Sequence, residues 1–133
     1  MPSSSETPAS PSPPAPAVWQ RDIDQSTCVV VVEGELDLST APRLKWMLVD
    51  ALQGGKRHIA LDLTLTTFMD STALGVLVAV RRRLGPDELL AIACPRPDVL
   101  KIFEFAGVDS AFSISSTLDE ALAAVRGHAA HTG

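Results

Sequence analysis

Hydrophobic and polar positions alternate between two rhythms along this chain. Cys28-Val29-Val30-Val31-Val32 is apolar on both faces and β-branched, the pattern of a covered central strand. A weaker strand pattern, Ala17 to Ile23, precedes it. Glu33-Gly34-Glu35-Leu36-Asp37 breaks the run. Helical spacing follows, with Leu44, Met47, Leu48, Ala51 and Leu52 on one face. Ser39 or Thr40 suits its N-cap, Pro42 its first turn, and Gly54-Gly55 its end. Arg57 to Leu63 reads as a strand with Ile59, Leu61 and Leu63 on one side, running out into a polar stretch, Thr64 to Thr67. From Ser71 to about Leu84 the pattern is helical again and apolar nearly all round, ending in Arg81-Arg82-Arg83 and Gly85-Pro86.

The remaining elements are shorter. Glu88 to Cys94 reads as a strand, Pro97 to Ala106 as a helix stopped by Gly107, and Phe112 to Ile114 as a brief strand. Thr117-Leu118-Asp119-Glu120 fits a capping box, opening a helix to Val125, and residues 128–133 read as a frayed C-terminus. Strands alternating with helices imply an α/β fold with a mostly parallel sheet and right-handed crossovers. The apolar excess on the helix after Ser71 predicts burial on several sides or a surface shown to a partner.

Composition sets the boundaries. Residues 1–16 hold six of the ten prolines and five serines, with Glu6 as the one charge. Such a stretch has too few apolar side chains to offset the entropy of ordering, so it reads as a disordered Pro/Ser-rich tail. The 117 residues from Ala17 onward are enough for one core, and residues 17–127 read as one domain. The net charge of −5, with no basic stripe, argues against direct contact with nucleic acid or an anionic membrane. No secretory signal pattern or bilayer-length apolar run occurs in the sequence. Cys28 and Cys94 sit in apolar strand patterns and read as buried thiols of a reduced compartment, so a cytoplasmic location is expected.

The candidate chemistry lies at Asp70-Ser71, directly before a helix. Aspartate and serine cap helix N-termini, and a helix mouth favours anions through its free N–H groups and dipole. Ser71 is therefore expected near solvent, where an attached phosphate would be well received. Catalysis by Ser71 would need a base. His58, His128 and His131 are the only histidines, and none stands in a dyad context. No Gly-x-Ser-x-Gly elbow occurs, and Gly54-Gly55 follows a helix where a phosphate loop would precede one. A catalytic role and a nucleotide site are not expected. Nor are a metal or a cofactor.

The string Phe68-Met69-Asp70-Ser71-Thr72-Ala73-Leu74-Gly75-Val76-Leu77-Val78 resembles the phosphoacceptor segment of bacterial anti-sigma factor antagonists, of the STAS-domain family. Glu33-Gly34-Glu35-Leu36-Asp37-Leu38 is similar to that family's loop after its second strand. Phe105-Ala106-Gly107-Val108-Asp109 before Phe112 resembles its late helix-to-strand turn. One departure is Ala73, where the family often has glycine. The resemblance implies a sheet of four or five strands, one edge strand antiparallel, with about four helices largely on one face. It implies that Ser71 is phosphorylated, and Asp70, Thr72, Leu74 and Gly75 fit the same pattern; because loops after parallel strands collect at one end of a sheet, Glu35, Leu36 and Asp37 are expected beside Ser71, forming with those residues and Val78 a partner surface. It also implies the partners. The unphosphorylated form binds an anti-sigma factor serine kinase and so frees a sigma factor, phosphorylation ends binding, and a serine phosphatase restores it. ATP and Mg²⁺ belong to that kinase. The rival expectation is a STAS module of another pathway, such as a stress-signalling scaffold or a lipid-transport accessory.

Overall fold

The computed structural model describes residues 17–132, and the side chains up to Gly127. The Pro/Ser-rich tail expected over residues 1–16 lies outside the described residues. Six strands and four helices follow in chain order: β1 (Ala17–Asp22), β2 (Thr27–Leu36), α1 (Ala41–Gln53), β3 (His58–Asp62), β4 (Thr66–Met69), α2 (Ser71–Arg83), β5 (Leu89–Ala93), α3 (Pro97–Phe105), β6 (Ser113–Ser115) and α4 (Leu118–Thr132). The sheet order is β1-β2-β3-β5-β6, with β4 attached to β2. Only β1 is antiparallel, pairing Ala17 with Glu33 and Asp22 with Cys28. The α/β architecture and mostly parallel sheet agree with the expectation.

Two corrections concern the strands. β2 does not end at Val32. It carries on to Leu36 through a bulge between Gly34 and Glu35, and Gly34 takes φ 96°, a conformation glycine adopts without steric cost. The polar stretch after β3 is partly a strand as well. β4 picks up β2 where β3 leaves off, pairing Glu35 with Phe68 and Leu36 with Met69. Thr66 holds this junction: its buried hydroxyl donates to the Val32 carbonyl at 2.9 Å. A third correction is the end of the last helix: the backbone of α4 continues past Val125 to Thr132.

The core divides at the sheet. On one face Val30, Val32, Ile59, Leu61 and Ile92 meet Leu44 and Leu48 of α1, Leu77 of α2 and Phe103 of α3. On the other, Val29, Val31, Ala60, Ala91 and Ala93 meet Ala121 and Val125 of α4. Three helices cover one face and one covers the other. The small residues on the α4 face fit a helix lying close to the sheet. The Thr117 capping box forms as expected, with the Glu120 amide donating to Thr117 Oγ1 at 3.1 Å and the Thr117 amide to Glu120 Oε1 at 3.3 Å. Cys28 and Cys94 are free and buried. Burial pushes the Cys28 thiol up to about 11 and raises that of Cys94, which keeps both protonated and unreactive at neutral pH.

Candidate functional site

Parallel strands place their following loops at one end of a sheet. β2 and β4 both deliver their C-terminal segments there, and their adjacency brings Asp37 and Ser71 to one surface. The coupling is direct. The Asp70 amide donates to the Leu36 carbonyl at 3.1 Å. The Asp70 carboxylate then accepts from two segments: Oδ1 from the Ala73 amide at 3.0 Å, capping α2, and Oδ2 from the Leu38 amide at 3.1 Å. One side chain thus caps the helix and ties the preceding loop to it.

Ser71 is the first residue of α2 and is exposed. The first four amides of a helix lack intrahelical acceptors. Counted from the cap, two of them are satisfied here: the Asp70 amide donates to the Leu36 carbonyl and the Ala73 amide to the Asp70 carboxylate. The other two belong to Ser71 and Thr72, both exposed. The helix mouth therefore presents a hydroxyl with two amides beside it. No base accompanies it from the β3 histidine, since His58 opens β3 at the opposite end of the sheet.

The loop over Asp37 is built by its own side chains. Asp37 Oδ1 accepts from the Ser39 hydroxyl at 2.7 Å, the Ser39 amide at 3.0 Å and the Thr40 amide at 3.3 Å. These donors hold its carboxyl below its ordinary value of 3.8, the Ser39 hydroxyl first. Thr40 stands at the N-cap of α1, as expected, yet makes no side-chain cap bond. Its hydroxyl is occupied by the Asp37 amide at 2.8 Å and the Glu35 carbonyl at 3.0 Å, so Asp37 does the capping from outside the helix.

The expected partner surface is only partly accessible. Glu35, Thr72 and Gly75 are exposed, and a Cβ added at Gly75 would meet open space. Asp37, Asp70 and Val78 are half-buried. Leu36 and Leu74 are corrections: both are core residues, at 0% and 6% exposure, because Leu36 pairs inside the sheet and Leu74 faces it from α2. The apolar surface at this end comes from elsewhere. Leu38 is 71% exposed, and Leu65 and Phe68 are 49% exposed. Leu38 follows Asp37, Phe68 sits opposite Glu35, and the Leu65 carbonyl accepts from the Gly34 amide at 3.0 Å. An exposed leucine in a loop was available as a signal; Phe68 became legible only once β4 existed.

A family model of the STAS domain matches residues 19–121. The chain belongs to the STAS-domain family. Among relatives, it is 36% identical over 80 residues to an anti-sigma-B factor antagonist of Staphylococcus aureus, covering 59% of this chain and 74% of that protein. The crystal structure of an anti-sigma factor antagonist from Mycobacterium paratuberculosis superposes with a TM-score of 0.78 at 29% identity, covering 84% of this chain and 95% of that one. The anti-sigma factor antagonist SpoIIAA in its unphosphorylated form superposes with a TM-score of 0.72 at 27% identity, covering 84% and 97%. Its phosphorylated form, from Bacillus, gives 0.64 at 25%, covering 82% and 99%. By homology this STAS domain falls among the anti-sigma factor antagonists, regulatory binding proteins. Among its described residues no helix is long and apolar enough to cross a membrane.

Proposed function

We propose that this STAS domain is an anti-sigma factor antagonist switched by phosphorylation of Ser71. The unphosphorylated chain binds an anti-sigma factor that is also a serine kinase, and so frees a sigma factor. Transfer of phosphate to Ser71 ends binding, and a serine phosphatase restores it. The observation that carries this reading is the exposed Ser71 hydroxyl in the first turn of α2, beside the Asp37 loop and the apolar Leu38 and Phe68. The similarity to SpoIIAA, solved in both phosphorylation states, supports the same chemistry here.

The docking surface has an apolar part, Leu38 and Phe68, and a polar part, Glu35, Asp37, Asp70, Thr72 and Gly75, with Val78 one turn along the helix. A phosphate adds about −1.5 to −2 charge. The amides of Ser71 and Thr72 stabilise it locally, so the fold tolerates it. A bound partner would have to bury that charge beside Asp70 and Asp37. Unpaired buried charge costs several kcal/mol, and each 1.4 kcal/mol is tenfold in affinity, so local electrostatics suffices for a switch. The test is phosphate transfer from ATP by candidate anti-sigma kinases. The chain is expected to take up one phosphate, and Ser71→Ala none. Undiminished labelling of Ser71→Ala would move the acceptor to Thr72 or elsewhere and remove the proposal.

A further inference from the structure

α1 carries a second apolar stripe. Ala41, Leu44, Leu48 and Ala51 turn one face of the helix to the core. On the outer face Pro42, Trp46 and Val49 follow at i, i+4 and i+7, where a helix covering a sheet is ordinarily polar. Trp46 is 65% exposed, an unusual place for the largest side chain of the helix. Pro42, Lys45, Trp46 and Val49, with Arg83 at the end of α2, line an open groove.

The spacing of the lining residues says what kind of body fits. Residues at i, i+3, i+4 and i+7 of one helix form the hole that receives a side chain from a facing helix. Written as a heptad, Pro42 and Val49 are d positions, Trp46 and Gln53 are a positions, Lys45 is g and Asp50 is e. In a parallel pair, the hole bounded by d, g, a and the next d receives the partner's a side chain. A second copy of this chain supplies that side chain, the partner's Trp46. One two-fold rotation fills both holes, since each copy offers the same knob and the same hole.

Charge selects the direction. In a parallel pair a g side chain faces the e side chain of the partner's next heptad. Lys45 then meets the partner's Asp50, and Asp50 meets the partner's Lys45. An antiparallel pair would set Lys45 against the partner's Lys45. Neither Lys45, Arg83 nor Asp50 has an ion-pair partner among the described residues. Arg43, the other e residue, turns to the β1 flank, where its Nη2 donates to the Val18 carbonyl at 3.5 Å. The pairing does not have to induce the helix, because the inner face of α1 is already packed on the sheet. From Pro42 to Gln53 the seam is about 16 Å long at 1.5 Å per residue. Such a contact belongs with the small interfaces, below about 1,200 Å² in total, that associate weakly and reversibly.

We propose that two copies of this chain associate reversibly through parallel α1 helices, each Trp46 seated in the groove of the other copy. The inference does not rest on the phosphorylation reading and uses no residue of the Ser71 surface.

Sedimentation velocity of the full-length chain, from micromolar to millimolar concentration, tests it. The average mass should rise with concentration from 14.1 kDa towards twice that value. Trp46→Glu, at an exposed position, should keep the thermal midpoint and weaken association by about tenfold or more. Asp50→Lys should weaken it too, and adding Lys45→Glu to that variant should recover part of the loss. Diamide oxidation of Gln53→Cys should give a cross-linked dimer, because a positions face each other in a parallel pair, while Cys28 and Cys94 are buried. A chain that stays at 14.1 kDa up to millimolar concentration would overturn the proposal and leave the groove to a helix of another protein. Association unchanged by Trp46→Glu, or a dimer that Gln53→Cys fails to cross-link, would overturn it as well.

Discussion

At the mouth of α2 one carboxylate serves two segments, and single substitutions there separate capping from chemistry. Asp70→Ala removes the bonds to the Ala73 and Leu38 amides together. Loss of such a cap costs about 1–2 kcal/mol, so urea unfolding should show that drop in stability, and Leu38 should become more mobile in NMR relaxation. Ser71→Ala should leave stability within about 0.5 kcal/mol, since Ser71 is exposed and makes no cap bond of its own. An equal loss in the two variants would contradict the assignment of the cap to Asp70. Asp37 adds a pH signature. Its folded-state pKa lies below the ordinary 3.8, so it contributes stability above that value, which is lost as pH falls through the folded value. Replacing it by Asn should flatten the acid side of the thermal-stability profile below about pH 4 and leave neutral pH governed by other groups. An unchanged acid limb would show the Ser39 and Thr40 contacts to be loose in solution.

Among the elements, β4 decides the site, because it seats Phe68 and delivers Asp70 beside Leu36. Its anchor is Thr66, fully buried with its hydroxyl on the Val32 carbonyl. Thr66→Val keeps the shape and deletes the bond, which should cost about 1–2 kcal/mol in chemical denaturation. Hydrogen exchange should quicken first in β4 and the Asp37 loop; protection lost uniformly across the sheet would speak against β4 as a local unit. The alternation of strands and helices, the Thr117–Glu120 box and the Asp70-Ser71 helix mouth were all legible in the sequence, because each rests on local periodicity or capping chemistry. β4 was not. Its four residues, Thr66–Met69, are too short and too polar to carry a period, and its strand character comes from pairing with β2 across 32 or so positions of sequence. The same miss concealed Phe68 and misplaced Leu36 and Leu74. Which residues of an apolar helix face the sheet depends on what lies beneath it, and that is tertiary information.

At the scale of the molecule, the two faces of the sheet are packed differently. Large aliphatic and aromatic side chains fill the space under α1, α2 and α3, while Ala60, Ala91 and Ala93 lie under α4. Ala91→Leu should therefore overpack the α4 face and lower stability by about 1–3 kcal/mol, read as a lower thermal midpoint, with the proposed partner binding at the Ser71 end unaffected. A neutral outcome would mean that α4 lies farther from the sheet than its contacts indicate. The tail is expected to add little to this core, since Val18, the first fully buried residue described, already belongs to β1.

On the proposed reading, a sheet with Ser71 on its rim needs no global rearrangement to switch partners. The most direct measurement is the affinity of the anti-sigma kinase for the chain with and without phosphate on Ser71, taken with amide NMR spectra of both forms. Phosphate should weaken binding by about 100-fold or more, as a cost of a few kcal/mol requires, with shifts confined to the Asp37 loop, β4 and the first turn of α2. Equal affinity for the two forms would contradict the account.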